Sequence, residues 1–263
     1  MSLSIALSAA TSSLRTIQTN LAVASSNIAN SDTDGYSVKS TVQSNTVSSG
    51  QGTGVTIKAI QSRVDASLVR TIVGAAATSG AAATTTDYLQ SLSDALGTLS
   101  GSGSGGQSLS SAVADAVAAL EELASTPEST TLKTQAVMAF DDAASALRTT
   151  SATVQSLRQD ADSGIEEAVA SINDILTQLS ALNDSVVRTR LAGQPTADLD
   201  DQRNSLLQSL SGYMDITYFS DSTGATKVYT GTGEPLLTSV IHPLSYESAS
   251  GVDAGTTYPG GFS

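Results

Sequence analysis

The sequence has no cysteine, no tryptophan and a single histidine, and its 263 residues include only seven Tyr and three Phe. Without thiols there can be no disulfide framework, thiolate nucleophile, iron–sulfur cluster or Cys-ligated zinc. The lone His242, standing before Pro243, excludes a multi-histidine metal site. Basic residues are scarce as well: 12 Lys and Arg face 25 Asp and Glu, a net charge of -13. Those cations are scattered, so no patch is left to meet a phosphate backbone and no nucleic-acid partner is expected. No apolar run reaches the roughly 20 residues of a membrane span. The first charged side chain is Arg15, so the basic start of a cleaved secretory signal is missing, and any export is expected to proceed without one.

What is present is aliphatic and hydroxylic. At 40% hydrophobic, mostly Ala, Val, Leu and Ile, the chain can bury a core, and the shortage of rings favours thin helical packing. Leu3, Leu7, Ala10, Leu14, Ile17, Leu21, Ala24 and Ile28 alternate steps of four and three, the spacing of a coiled-coil seam. The other faces of that helix carry Ser, Thr, Gln, Asn and Ala. A helix with one charge and many poor helix formers is marginal alone in water, so we expect it to be unstructured until partner helices surround it.

Beyond it, 30–54 reads as irregular, with Asp34-Gly35 as a turn, and Gly54 to Ile60 alternates as a short strand. A weak helix is expected from Val64 into 75–86, with Gly74 and Gly80 as poor helix formers within it, and helical signals return at Tyr88, Leu92, Ala95 and Leu99. The run 101–106 is Gly and Ser only; lacking the Lys-Ser/Thr of a phosphate loop, it reads as a flexible connection. Leu109, Val113, Val117, Leu120 and Ala124 define the apolar face of the next helix, ending before Pro127, and Pro127 with Glu128 opens another. The longest pattern follows, over 128–191, with seams Ala136 to Ala161 and Ile165 to Val186 separated by a stutter beside Gly164, where a kink is expected. Asn183 sits in the second seam as a register-fixing polar residue. Gly193-Gln194-Pro195 breaks the helix, Thr196 or Asp198 caps the next, and a β-hairpin is expected around Asp221 to Gly224, with a β-rich tail to Ser263.

The fold class is therefore mainly α: an elongated antiparallel helical bundle or coiled coil with a small β-rich region toward the C-terminus. Three segments are expected, 1–54 for the seam helix and its exit loop, 55–211 for the helical domain and 212–263 for the start of a β-rich domain. Chemistry is hard to find. No Gly-x-Ser-x-Gly elbow frames a nucleophile, and Asp198, Asp200 and Asp201 lack the spacing of a calcium loop and read as capping acids at a helix start. We expect no enzyme and no cofactor.

The segment from Ser26 to Ser37, with Asn27, Ala29, Asn30, Thr33, Gly35 and Tyr36, resembles the signature of the bacterial flagellar rod, hook and hook-associated axial proteins. Two further blocks, Gly54 to Asp65 and Gly193-Gln194-Pro195 with Asp201, Gln202 and Arg203, resemble the hook-associated members of that family. The resemblance implies a structural subunit that joins hook to filament, reaches the flagellum by type III export and self-assembles in a ring or helical lattice through Leu3, Leu7, Leu14, Ile17, Leu21 and Ile28. It further implies hook protein and the next junction protein as partners, and an export chaperone. That chaperone's site is expected in a C-terminal part, where the family carries a second seam helix that this sequence does not reach by Ser263. Rival readings are a hook or rod subunit, against which the long helical middle argues, and a secreted coiled-coil adhesin or effector, which would not need the Tyr36 signature.

Overall fold

A computed structural model describes residues 3–48, 51–97 and 108–256. The glycine-serine run 101–106 and the last part of the tail, 257–263, lie outside the described residues. Five helices dominate: α1 (Leu3–Ala29), α2 (Ala66–Leu96), α3 (Leu109–Ser125), α4 (Thr130–Leu191) and α5 (Ala197–Ser211). Strands β1 (Lys39–Ser48) and β2 (Gln51–Ser62) form an antiparallel hairpin, and β3 (Ile216–Ser220), β4 (Thr226–Thr230) and β5 (Pro235–Leu237) form an antiparallel sheet in that order. The chain is mainly α, with small sheets.

Two compact units account for these elements, one made of 1–81 with 170–244 and the other of 82–169 with 245–263. Each is discontinuous in sequence, whereas three consecutive segments were expected; the expected boundary at 54 falls inside β2. In the first unit the core gathers Val73 from α2, Ile172, Ile175, Leu176 and Leu179 from α4, Leu207 and Leu210 from α5, and Ile216, Val228, Leu236 and Leu237 from the three-stranded sheet. From Ile172 to Val186 the second seam of α4 thus lies inward, as its spacing indicates, while Ile165 at its start is exposed. Asn183 is buried within it, and its amide pairs with a strand: Nδ2 donates to the Thr226 carbonyl and Oδ1 accepts the Thr226 N–H, both at 2.8 Å. Ten residues earlier on the helix, Asn173 makes the same two-way bond with Leu244, at 2.9 Å each way. An amide side chain here takes the place of a neighbouring strand, satisfying both backbone groups that burial would otherwise orphan.

The second unit departs further from expectation. In α3 the inward residues are Ala112 and Ala116, while Val113, Val117 and Leu120 are exposed; the small side chains face in and the larger face turns to solvent. The first seam of α4 behaves likewise, with Ala136 buried and Phe140 and Leu147 exposed. No break interrupts α4 at Gly164. Its start is set by Ser129, whose Oγ accepts the Leu132 N–H at 3.3 Å, so Pro127 and Glu128 belong to the preceding turn. The segment after Ser245 forms no strand among its described residues and is held along α4 by side chains: Asp162 accepts from the Tyr246 hydroxyl and the Ala249 N–H, and Arg158 donates to the carbonyls of Asp253 and Thr256.

Helix α2 is continuous through Gly74 and Gly80, joining two helical signals that read as separate. Gly80 has a packing reason: a Cβ there would collide with the carbonyl of Gly212 beyond α5. Helix α4 ends in a left-handed Gly193 (φ 66°), with the Gly193 N–H bonded to the Arg190 carbonyl and the Gln194 N–H to the Thr189 carbonyl. That pair of bonds is a Schellman motif, and Pro195 behind it cannot continue the helix.

Candidate assembly site

Helix α1 has two faces of opposite character. The seam residues Leu3, Leu7, Leu14, Ile17, Leu21 and Ile28 are exposed, from 57% at Leu14 to 87% at Leu3. Facing away from them is a polar stripe, Ser12, Thr16, Asn20 and Asn27, at steps that keep it on one side of a 3.6-residue helix. Within the chain it is this stripe that makes the contacts. Ser12 Oγ accepts the Val55 N–H at 3.1 Å, Thr41 Oγ1 donates to Asn20 Oδ1 at 2.6 Å, and Thr16 is buried at 6% exposure. The hairpin β1–β2 is the surface so engaged; neither a strand over 39–48 nor an intramolecular partner for α1 is expected from the sequence pattern, which is irregular there. Gly54 (φ 149°) lies where a Cβ would strike Ser12, which is how the helix comes so close to β2.

The family-signature residues build the exit from α1. Asn27 Nδ2 donates to the Lys39 carbonyl and Asn27 Oδ1 accepts the Lys39 N–H, both at 2.9 Å, repeating the helix-to-backbone pairing of Asn183 and Asn173. Tyr36 closes the loop by donating its hydroxyl to Asn27 Oδ1 at 2.9 Å. Asn30 Nδ2 returns to the Ser26 carbonyl, and the Thr33 N–H bonds the Asn30 carbonyl, completing the turn after Ala29. Gly35 takes φ 78°, a region L side chains avoid, and a Cβ there would run into the Ser205 hydroxyl.

Two blocks far apart in sequence meet at Lys39. Its ammonium lies 3.6 Å above the Tyr36 ring, 2.6 Å from Asp198 Oδ1 and 3.1 Å from Asp201 Oδ2. Asp201 also accepts the Ser37 N–H at 3.1 Å and the Ser37 hydroxyl. Burial by itself would lower the Lys39 pKa; hydrogen bonds to Asp198 and Asp201, and then their charges, outweigh it and hold the group above its ordinary value of 10.5. The acids read as helix caps are thus anchors: Asp198 and Asp201 bind Lys39, while Asp200 accepts from Thr196 at 3.0 Å and pairs with Arg203 at 2.8 Å. Gln202 is exposed, as are Gly193, Gln194 and Pro195. Lys39, which joins the two blocks, was not singled out from sequence: a lone lysine among Ser and Thr has no spacing signature.

No group of His, Cys, Asp and Glu suited to a metal ion occurs among the described residues, and none of their helices is long and apolar enough to cross a membrane. The arrangement offers a surface, with an outward apolar strip on a helix whose inward side is fixed by hydrogen bonds and whose exit is locked by an ion cluster in which Lys39 and Asp201 are buried and Asp198 is exposed.

These features define a helix-and-hairpin module with an outward apolar strip on its helix, in a chain whose remainder is mostly helical. Residues 7–36 match the family of flagella basal body rod proteins. Residues 94–257, more than half of the chain, match the helical domain of the flagellar hook-associated protein FlgK, and the chain belongs to that family. Among solved structures, the flagellar hook junction protein FlgK from Burkholderia pseudomallei is similar at 21% identity and a TM-score of 0.49, over 64% of this chain and 28% of that one. The present chain thus spans well under half the length of that relative. No curated protein sequence matches.

Proposed function

We propose that this chain is a structural subunit of the bacterial flagellum that joins hook to filament, and that copies assemble through the seam of α1. One observation carries the reading: the apolar strip of α1 is outward although the helix already has an intramolecular partner on its other side. Six large aliphatic side chains in water are unfavourable by about 1.5–3 kcal/mol each relative to burial, so a neighbouring helix that covers them supplies the driving force for assembly. Family membership supplies the setting, an exported protein of the flagellum. Hook protein and the next junction protein are the neighbours such a subunit meets, and an export chaperone is its partner before assembly. The reading assigns no catalytic step and no cofactor.

Leu14→Asp tests it. In sedimentation velocity the substitution should abolish self-association, because a carboxylate cannot enter a helix–helix seam without a partner. Thermal melting of the helical domain should stay within about 1 °C of the parent, since Leu14 touches no core residue. Unchanged association would refute the seam; a large fall in melting temperature would place α1 in the monomer's own core.

A further inference from the structure

Beside the seam, α1 borders a second surface. A groove of about 770 Å³ runs between α1 and β2, lined by Leu7, Thr11, Arg15, Thr19, Val55 and Ile57 among others. Arg15 is the one charged residue of α1, and it forms no ion pair among the described residues. Two hydroxyls beside it are committed to the helix's own backbone, Thr11 to the Leu7 carbonyl and Thr19 to the Arg15 carbonyl. The guanidinium is therefore the strong outward donor of an otherwise half-apolar groove, and α1 has no acid to give it. At the far end of the same module, the turn leaving α1 carries Asp32 and Asp34, both exposed and both without an ion pair among the described residues. One chain cannot join the two: α1 between Arg15 and Ala29 is about 21 Å long at about 1.5 Å per residue, far beyond the reach of an arginine.

We propose that the groove around Arg15 receives the Asp32 and Asp34 turn of a second copy. This rests on the reading that α1 assembles copies, and adds a contact apart from the seam that sets their order. Because groove and turn are different patches, the contact is heterologous and propagates head to tail instead of closing a symmetric pair. The seam, with no charges beside it to specify register, supplies cohesion; the Arg15 contact supplies register along the helix axis. The guanidinium forks onto one or both carboxylates, and the apolar part of the groove, Leu7, Val55 and Ile57, covers the backbone of the turn.

Sedimentation velocity of the full chain at low and moderate salt tests this, with circular dichroism to verify helix content. Arg15→Glu should weaken association about tenfold, replacing an attraction by a repulsion; Arg15→Gln should weaken it less and remove part of its salt dependence. The triple variant Arg15→Glu, Asp32→Lys, Asp34→Lys should restore association to within about threefold of the parent, since it reverses both sides of one pair. If Arg15→Glu associates like the parent, or if the triple variant fails to recover, the proposal is wrong. Should the parent associate in a way that Leu14→Asp abolishes but Arg15→Glu does not, the seam stands and the groove falls. A parent that stays monomeric at every concentration overturns both.

Discussion

At the level of single residues, Lys39 and three asparagines do the most. Lys39 is buried among Tyr36, Asp198 and Asp201, so removing it strands the buried Asp201 carboxylate. Lys39→Met should cost about 3 kcal/mol, read as a lower midpoint in urea. Its pH dependence has a definite sign. Because the folded pKa lies above the ordinary value of 10.5, the ammonium's contribution is fully present below that value and is lost as pH rises through the folded one. The stability difference between parent and Lys39→Met should therefore be constant from about pH 7 to about pH 9.5 and shrink above about pH 10.5; a difference that grows with alkali would contradict the cluster. Asn183→Ala leaves the N–H and carbonyl of Thr226 without their partner in a buried place. Its expected cost is about 2–4 kcal/mol, and amide hydrogen exchange at Thr226 should quicken far more than at Val228, whose bonds lie within the sheet.

Among the elements, helices α3, α4 and α5 are legible because a 3.6-residue period survives even in a polar chain; the end of α4 at Gly193-Gln194-Pro195 is displayed openly by its turn chemistry, whereas its start lies at Ser129 and not at Pro127. Strand β1 was not legible. Its ten residues include only two apolar side chains, Val42 and Val47, because the helix stripe it meets is itself polar and the pairing runs on hydroxyls and amides. Nor does periodicity say which of two stripes on α3 faces in: the bulkier one was read as core, whereas alanine packs and valine is exposed. In α2 two glycines weaken the helical signal, yet the helix runs through both and tolerates the roughly 1 kcal/mol each of them costs. Gly80 in particular is required by the Gly212 carbonyl. Gly80→Val should therefore lower stability by at least about 2 kcal/mol despite its sequence context, whereas Gly74→Ala, with open space around it, should raise helix stability slightly; equal effects at the two positions would deny the close approach.

Across the whole molecule, charge is divided unequally. Residues 1–65 hold four cations and three acids, while the remainder holds eight cations and 22 acids. The helix-and-hairpin part is nearly neutral, so bringing many copies of it together meets little mutual repulsion, and the excess negative charge sits in the rest of the chain, where it favours solubility. That division is plain in the sequence. The convergence of the Tyr36 block on the Asp201 block is not, since a contact spanning 164 positions leaves no local trace in one sequence. The repeated use of asparagine has a last implication. Asn27, Asn173 and Asn183 each fasten a helix to a neighbouring stretch of main chain through a neutral amide, which neither takes up nor releases a proton anywhere between a stomach and a soda lake and is indifferent to brine. Such joints hold alike in whatever fluid surrounds them.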